Sequence, residues 1–383
     1  MNSYITAESL KLVFSGTDYF DTLDSIIRNC KKVLHIQTYI FDTDDTGTRV
    51  VNALVQAASR GVEIYVMPDA FGSGSFSKKA IKQLREAGVH FRFFAPLFSS
   101  ESVFFGRRLH HKIVVADERV GLIGGINIAD KYSTGSETTH PWLDYAIYIE
   151  GDVCKFLHLL CESFYNRRGF RKVVQWERQH KHASDIDAPF RLRFRRNDWF
   201  RKKNEIHKSY MEALREAKQS ITIAASYFLP GKSFRRMLER ASAKGVEIKI
   251  ILAGKSDVSS VRLAESYLYQ FYIRNKIKIY EWHNSVMHGK VMVVDDHWCT
   301  IGSYNLNYLS HYISVELNAD VISPAFIREI NQHFKTIAAK DCVLVNFEKF
   351  NTDFGLWKKF RMWLAYAFHK LIMNTVSSGK MRR

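Results

Sequence analysis

The sequence predicts an α/β fold built twice, as two halves of one layered design related by a pseudo-two-fold axis. Three observations carry this. A short motif occurs in two copies: His110-His111-Lys112-Ile113-Val114-Val115-Ala116-Asp117 and His288-Gly289-Lys290-Val291-Met292-Val293-Val294-Asp295 both read H-x-K-x4-D. After each Asp come six residues, a small pair and an Asn: Gly124-Gly125-Ile126-Asn127 in one copy, Gly302-Ser303-Tyr304-Asn305 in the other. Upstream of each copy, helical and extended patterns alternate in the same order, which implies a layered α/β unit and an internal duplication.

The elements follow from periodicity. Asp21–Cys30 places Leu23, Ile26 and Ile27 on one helical face and leads into a strand over Lys32–Phe41. Val50–Ser59 runs into the strand Arg60–Val66, and Ser77–Ala87 into Val89–Phe94. The second half repeats this with Ile206–Ala217 into Ser220–Phe228, Phe234–Ala243 into Lys244–Ile250, and Val261–Arg274 into Ile277–Trp282. Gly61 and Gly245 mark helix ends before apolar strands. Each motif reads as a strand, then a tight turn and a returning strand, Val120–Ile123 or Cys299–Ile301. The first half is placed at residues 1–178 and a polar, aperiodic linker at 179–188. The second half is placed at 189–345, opening on the alternating Phe190–Phe194.

Residues 346–383 change character. Trp357, Phe360, Trp363, Leu364, Ala367, Phe368, Leu371 and Ile372 recur at helical spacing, with Lys358, Lys359, Arg361, His369 and Lys370 between them and Lys380, Arg382 and Arg383 beyond. This is a basic amphipathic helix, expected to lie on a membrane surface. Docking of its apolar face on the second half is the competing arrangement.

The chain of 383 residues is long enough for two cores of ordinary size, and its 46% apolar and 14% aromatic content excludes a disordered protein. A net charge of +17 calls for an anionic partner, either nucleic acid or an anionic membrane. Cys30, Cys154, Cys161, Cys299 and Cys342 form no C-x-x-C pair and are expected to be free thiols in a reducing compartment. The start of the chain lacks a signal-peptide pattern, and no apolar run is long enough to span a bilayer. The expected location is the cytoplasmic face of the cell membrane, peripherally bound.

On a strand, alternate residues share a face, so His110 and Lys112 point together, as do His288 and Lys290. Asn127 and Asn305 end the returning strands, and the small pairs before them, including Ser303, let backbone approach the same point. One half offers an imidazole, an ammonium and a carboxamide. Two halves facing each other would supply what a phosphodiester needs. The lysines neutralise non-bridging oxygens and stabilise a five-coordinate transition state. One imidazole attacks phosphorus to give a phosphohistidine, and the other protonates the leaving alkoxide, then deprotonates the incoming alcohol or water. The lysines make a metal unnecessary, and Lys112 between His110 and Asp117 argues against metal ligation there. Each His needs a carboxylate on its other ring nitrogen. Asp144 and Glu316 begin strands at matching places downstream, and the expected pairing is Asp144 with His110 and Glu316 with His288. Asp117 and Asp295 belong to the motif but sit at strand ends, as anchors for lysine or for turn amides. His111 lacks a counterpart, since Gly289 stands in its place, and reads as accessory.

The paired frame resembles the phospholipase D superfamily, over roughly residues 12–340. Ala225–Gly231, Gly254–Asp257, Tyr280-Glu281-Trp282, Gly302–Asn307 and Glu316–Ala319, with Gln37–Phe41 and Gly124–Ala129 in the first half, are similar to bacterial cardiolipin synthases of a short form without N-terminal transmembrane helices. The resemblance implies two mixed-sheet α/β sandwich halves with a shared site. It implies a phosphatidyltransferase that moves a phosphatidyl group from phosphatidylglycerol to a second phospholipid hydroxyl, with no cofactor. His110 is read as the nucleophile and His288 as the acid and base, or the reverse, since the two half-sites are symmetric. The alternative is a phosphodiesterase hydrolysing phospholipid or nucleic acid.

Overall fold

The protein is described by a computed structural model that covers residues 3–96, 107–133, 140–180, 185, 187–307, 310, 311, 313–346, 348, 350 and 355–378. Both halves are built on mixed sheets with one strand order. Across the first sheet run Ser9–Phe14, Tyr145–Glu150, Val120–Gly124, Lys112–Ala116, Val33–Thr38, Glu63–Pro68 and His90–Phe91. Across the second run Arg191–Asp198, Ser314–Ile322, Trp298–Gly302, Lys290–Val294, Ser220–Ala225, Glu247–Lys255 and Lys278–Val286, the same order strand for strand, with Cys342–Val345 added at the edge. Each motif strand lies at the centre of its sheet, antiparallel to both neighbours. The strand expected over Val89–Phe94 shortens to His90–Phe91, because the chain beyond it makes only an isolated bridge between Phe94 and Asp69.

The pleat divides each motif strand between two cores. Ile113 and Val115 join Val291 and Val293 in a core shared by the two sheets. Val114 and Ala116 face the outer helices Thr17–Asn29, Asp45–Ser59 and Lys78–Glu86. Met292 and Val294 likewise face Glu205–Glu216, Lys232–Ala243 and Ser259–Arg274. The helix expected from Val50 begins at Asp45. Its polar first turn hides the periodicity, but Asp44 caps it by accepting from the Gly47 amide at 2.9 Å.

Three short segments cross between the halves. Ile5–Thr6, at the start of the chain, pairs with Arg191 and Leu192 in the second sheet. Arg108–Leu109, just before the first motif, runs parallel to Ser314 and Val315. Leu143 bridges to Met287, just before the second motif. The strand that starts after each crossing is therefore aimed by the opposite half.

The C-terminal helix, Leu356–Ser378, packs antiparallel along Ser259–Arg274. Met362 is buried, and Ala365 and Tyr366 are partly buried against the second core. The Tyr366 ring stacks on Tyr267 at 4.8 Å, and Arg235 donates to the Tyr366 hydroxyl at 3.0 Å. The opposite face carries Trp357, Phe360, Trp363, Leu364, Phe368 and Leu371, all exposed. Residues 181–184 and 186 of the expected linker, the Ile372 side chain, and Lys380, Arg382 and Arg383 lie outside the described residues.

Candidate active site

The two motif strands bring His110, Lys112, His288 and Lys290 into one pocket between the sheets. Both lysines and His288 are buried, and His110 is the more open imidazole, with 14% of its side chain exposed against 6% for His288. Glu316 Oε2 lies 3.0 Å from His110 Nδ1, and Asp144 Oδ2 lies 2.5 Å from His288 Nδ1. The expected pairing is thus reversed: each carboxylate holds the histidine of the other half. The crossings explain it. The His110 and His111 amides both donate to the Val315 carbonyl at 2.9 Å, and the His288 amide donates to the Leu143 carbonyl at 2.7 Å. Each histidine is therefore tied beside the residue that precedes the opposite carboxylate.

The small pairs make room for this arrangement. A Cβ on Gly125 would stand 2.3 Å from Asp144 Oδ1, so glycine is what lets that carboxylate in. In the second half the equivalent Ser303 donates from its hydroxyl to Glu316 Oε2 at 2.5 Å and accepts from the Leu317 amide at 3.1 Å. Ser303, expected to bind substrate, is fully buried and spends its hydroxyl on orienting Glu316.

The lysines turn back on their own motifs. Lys112 Nζ donates to the His110 carbonyl at 2.6 Å, and Lys290 Nζ donates to the His288 carbonyl. Lys290 Nζ also stands 3.5 Å from Asp144 Oδ2. Burial, with each lysine repelling the other, pushes Lys112 down to about 7, against the partial restoring pull of Glu316. Burial lowers Lys290 too. Burial pushes His288 down to about 3, helped by Lys290, and lowers His110 despite Glu316. The site is starved of negative charge, and a bound phosphate anion would raise all four groups.

The asparagines differ. Asn127 Oδ1 accepts from the Ile40 amide at 3.0 Å and its Nδ2 donates to the Tyr132 hydroxyl at 2.9 Å, so its carboxamide is committed to the wall. Asn305 Oδ1 is buried without a partner. Asp117 and Asp295 sit at the far ends of their strands, about 16 Å from the lysines at roughly 3.3 Å per residue. Asp117 accepts from the amides of Lys31, Lys32 and Val33 at 2.8–3.0 Å, and Asp295 from Lys218, Gln219 and Ser220 at 2.7–2.8 Å. They clamp the start of the neighbouring strand and do not reach the pocket or the lysines. His111 is buried and bonds Gln37 Oε1 at 2.9 Å, while a Cβ at Gly289 would meet the Tyr145 ring at 2.6 Å. The two positions differ because a different ring packs against each.

Four aromatic walls were not singled out from the sequence for the site. Tyr39 packs on His110 with centroids 4.9 Å apart, and Tyr227 on His288 at 6.2 Å. Each lies within two residues of the end of an equivalent strand, Val33–Thr38 or Ser220–Ala225. Tyr132 and Trp142 pack on His288 at 5.4 and 5.7 Å, and among the described residues nothing in the second half repeats them.

This fold and this crosswise pair of His–carboxylate dyads define a duplicated phosphodiester-handling site. Residues 23–138 and 210–338 both match the cardiolipin synthase, phospholipase D-like domain. The chain belongs to that family. It is 32% identical over 353 residues to cardiolipin synthase B of Escherichia coli K12, covering 90% of this chain and 84% of that one. It is 27% identical over 330 residues to a cardiolipin synthase of Staphylococcus aureus, covering 86% and 67%. Among solved structures, phosphatidylserine synthase of Haemophilus influenzae shares the fold at a TM-score of 0.73 and 12% identity, over 97% of this chain and 96% of that one.

Proposed function

We propose that the chain is a cardiolipin synthase-type phosphatidyltransferase that works through a phosphohistidine at a membrane surface. The observation that carries the chemistry is the crosswise pairing of two buried histidines with carboxylates, with two buried lysines between them. Glu316 accepts the hydrogen bond from His110 Nδ1–H, which holds that proton on Nδ1 and leaves the Nε2 lone pair free. Because His110 is the more open ring, it is the nucleophile. His288, closed in by Tyr132, Trp142 and Tyr227, is the acid and base. Arrival of the phosphodiester adds a negative charge beside it. That charge and Asp144 let His288 hold the proton it gives to the departing glycerol.

His110 Nε2 forms a bond to phosphorus as the bond to the glycerol oxygen breaks. In the second step His288 takes a proton from the hydroxyl of a second phosphatidylglycerol. The new P–O bond forms as the P–N bond breaks, and cardiolipin leaves. Lys112 and Lys290 hold the non-bridging oxygens throughout, and Asn305 adds a neutral donor.

The membrane reading rests on the C-terminal helix. Its exposed aromatic arc is flanked by Lys359 and Lys370 on one side and Arg361 on the other, the arrangement of a helix lying in an anionic interface. Among the described residues no helix is long and apolar enough to cross a membrane. Free cysteines, with none in a disulfide, suit the cytoplasmic face.

The test is incubation of the purified chain with phosphatidylglycerol vesicles and, separately, with plasmid DNA. Cardiolipin and free glycerol are the expected products. Nicked plasmid with no lipid product would contradict the proposal.

A further inference from the structure

The two halves differ after the strands Glu63–Pro68 and Glu247–Lys255. In the first half, the strand Glu63–Pro68 is followed by Asp69, which is fully buried. Asp69 accepts from the amides of Phe71, Gly72 and Leu109 at 2.9, 3.1 and 2.7 Å, so its carboxylate is consumed by backbone. In the second half, the strand Glu247–Lys255 is followed by Asp257, which is exposed. The Tyr227 hydroxyl lies 2.8 Å from both of its oxygens, and the Tyr227 ring is the one packed on His288. Among the described residues no lysine or arginine forms a salt bridge with Asp257. The carboxylate nevertheless stands near enough to be felt by Lys290, Tyr132 and Glu265.

A carboxylate at the mouth of an anion-binding site repels the substrate's phosphate. It also keeps about three lone-pair positions after Tyr227 has donated its one proton. Those positions suit a ligand group rich in hydroxyl donors. We infer that Asp257, held by Tyr227 on the His288 side of the site, is the carboxylate that receives the glycerol hydroxyls of the headgroup.

This inference rests on the reaction proposed above, and its stereochemistry extends it. Attack by His110 is in line, so the departing glycerol oxygen lies opposite His110, next to the acid His288. Microscopic reversibility places the incoming hydroxyl of the acceptor at the same position, because His288 must take its proton. One subsite beside Tyr227 and Asp257 therefore serves both glycerols. It selects phosphatidylglycerol as donor and as acceptor, and it favours a glycerol hydroxyl over water at the phosphohistidine.

The experiment uses the full chain with phosphatidylglycerol in mixed micelles containing free glycerol, and with bis(4-nitrophenyl) phosphate, a diester with no headgroup hydroxyls. Asp257→Asn is expected to raise KM for phosphatidylglycerol about tenfold. It should shift partitioning of the intermediate from glycerol towards water by a similar factor, and leave nitrophenol release within about twofold of wild type. Tyr227→Phe should move the same two quantities in the same direction by less. Retained nitrophenol release shows that each variant is folded. An equal loss on both substrates would overturn the inference in favour of a structural role. Unchanged KM and partitioning would overturn it outright. If Asp257→Asn spares phosphatidylglycerol but abolishes use of phosphatidylethanolamine, the carboxylate reads an ammonium and the glycerol assignment falls. A wild-type chain that ignores phosphatidylglycerol yet cleaves the nitrophenyl diester would instead sink the reaction on which the inference rests.

Discussion

Asp144 bonds His288 and Glu316 bonds His110, so each carboxylate holds the histidine of the other half. This separates the consequences of two isosteric changes. Asp144→Asn disables the acid, and Glu316→Gln disables the nucleophile. Each should lower turnover of phosphatidylglycerol on the order of 10³–10⁴-fold, the scale seen when a histidine loses its orienting carboxylate. With a 4-nitrophenyl leaving group, which needs no proton, the first-step burst should recover for Asp144→Asn and not for Glu316→Gln. Pairing within each half would give the opposite pattern. Lys112 supplies a pH test. In the free enzyme burial places it at about 7, so its charge is present below that pH and is lost as pH rises through it. The ratio kcat/KM, which reports the free enzyme, should fall above about pH 7. In Lys112→Arg the basic limb should move up by at least one pH unit, whatever the cost in absolute rate, because guanidinium stays protonated. An unmoved limb would assign the titration to another group. The residues themselves were legible in the repeat, and so was the separation of Asp117 and Asp295 from the chemistry. What the repeat could not convey was which carboxylate faces which histidine, because identical half-sites satisfy either pairing until the chain crossings at Arg108–Leu109 and Leu143 are seen.

The C-terminal helix uses both of its faces. Met362, Ala365 and Tyr366 dock it on Ser259–Arg274, and the aromatic arc faces outward. Its antiparallel course carries His369 to Ser260, close after Asp257 at the rim, so the arc leads toward the mouth of the site. A membrane under that arc would present headgroups to the pocket without lifting a lipid fully out. Phe360→Ser, Leu364→Ser and Phe368→Ser combined should weaken binding to phosphatidylglycerol vesicles on the order of 100-fold, taking roughly 1 kcal/mol for each side chain partly buried in the interface. Bis(4-nitrophenyl) phosphate cleavage in solution should be unaffected. Unchanged vesicle binding, measured by sedimentation, would remove the helix from the membrane account. Sequence periodicity announced this helix, and the choice between docking and membrane binding looked exclusive. The structure shows the docking, through a stripe at Met362 and Tyr366 that lies opposite the aromatic one and leaves that arc exposed.

At the scale of the whole molecule, duplication accounts for the fold. Seven strands recur in one order in each half, and the motif strands lie at the centre of both sheets. Alternation of helices and strands made this readable from the sequence, since three strands of each half follow a helix. The assignment of Ile5–Thr6 to the second sheet was not readable, because a two-residue strand has no period and its partner lies far along the chain. The duplication is also imperfect: Ser303 stands where the first half has Gly125, and Asn305 Oδ1 has no partner where Asn127 Oδ1 accepts from the Ile40 amide. In the proposed reaction, two similar half-sites divide the work of nucleophile and acid. The measurement that tests this division most directly is a trapping experiment with His288→Ala and bis(4-nitrophenyl) phosphate. The first step needs no acid with this leaving group, and the second lacks its base. The account predicts a burst of about one nitrophenol per chain and a phosphoryl adduct that maps, under alkaline quench, to His110. No burst, or an adduct on any other residue, would contradict it.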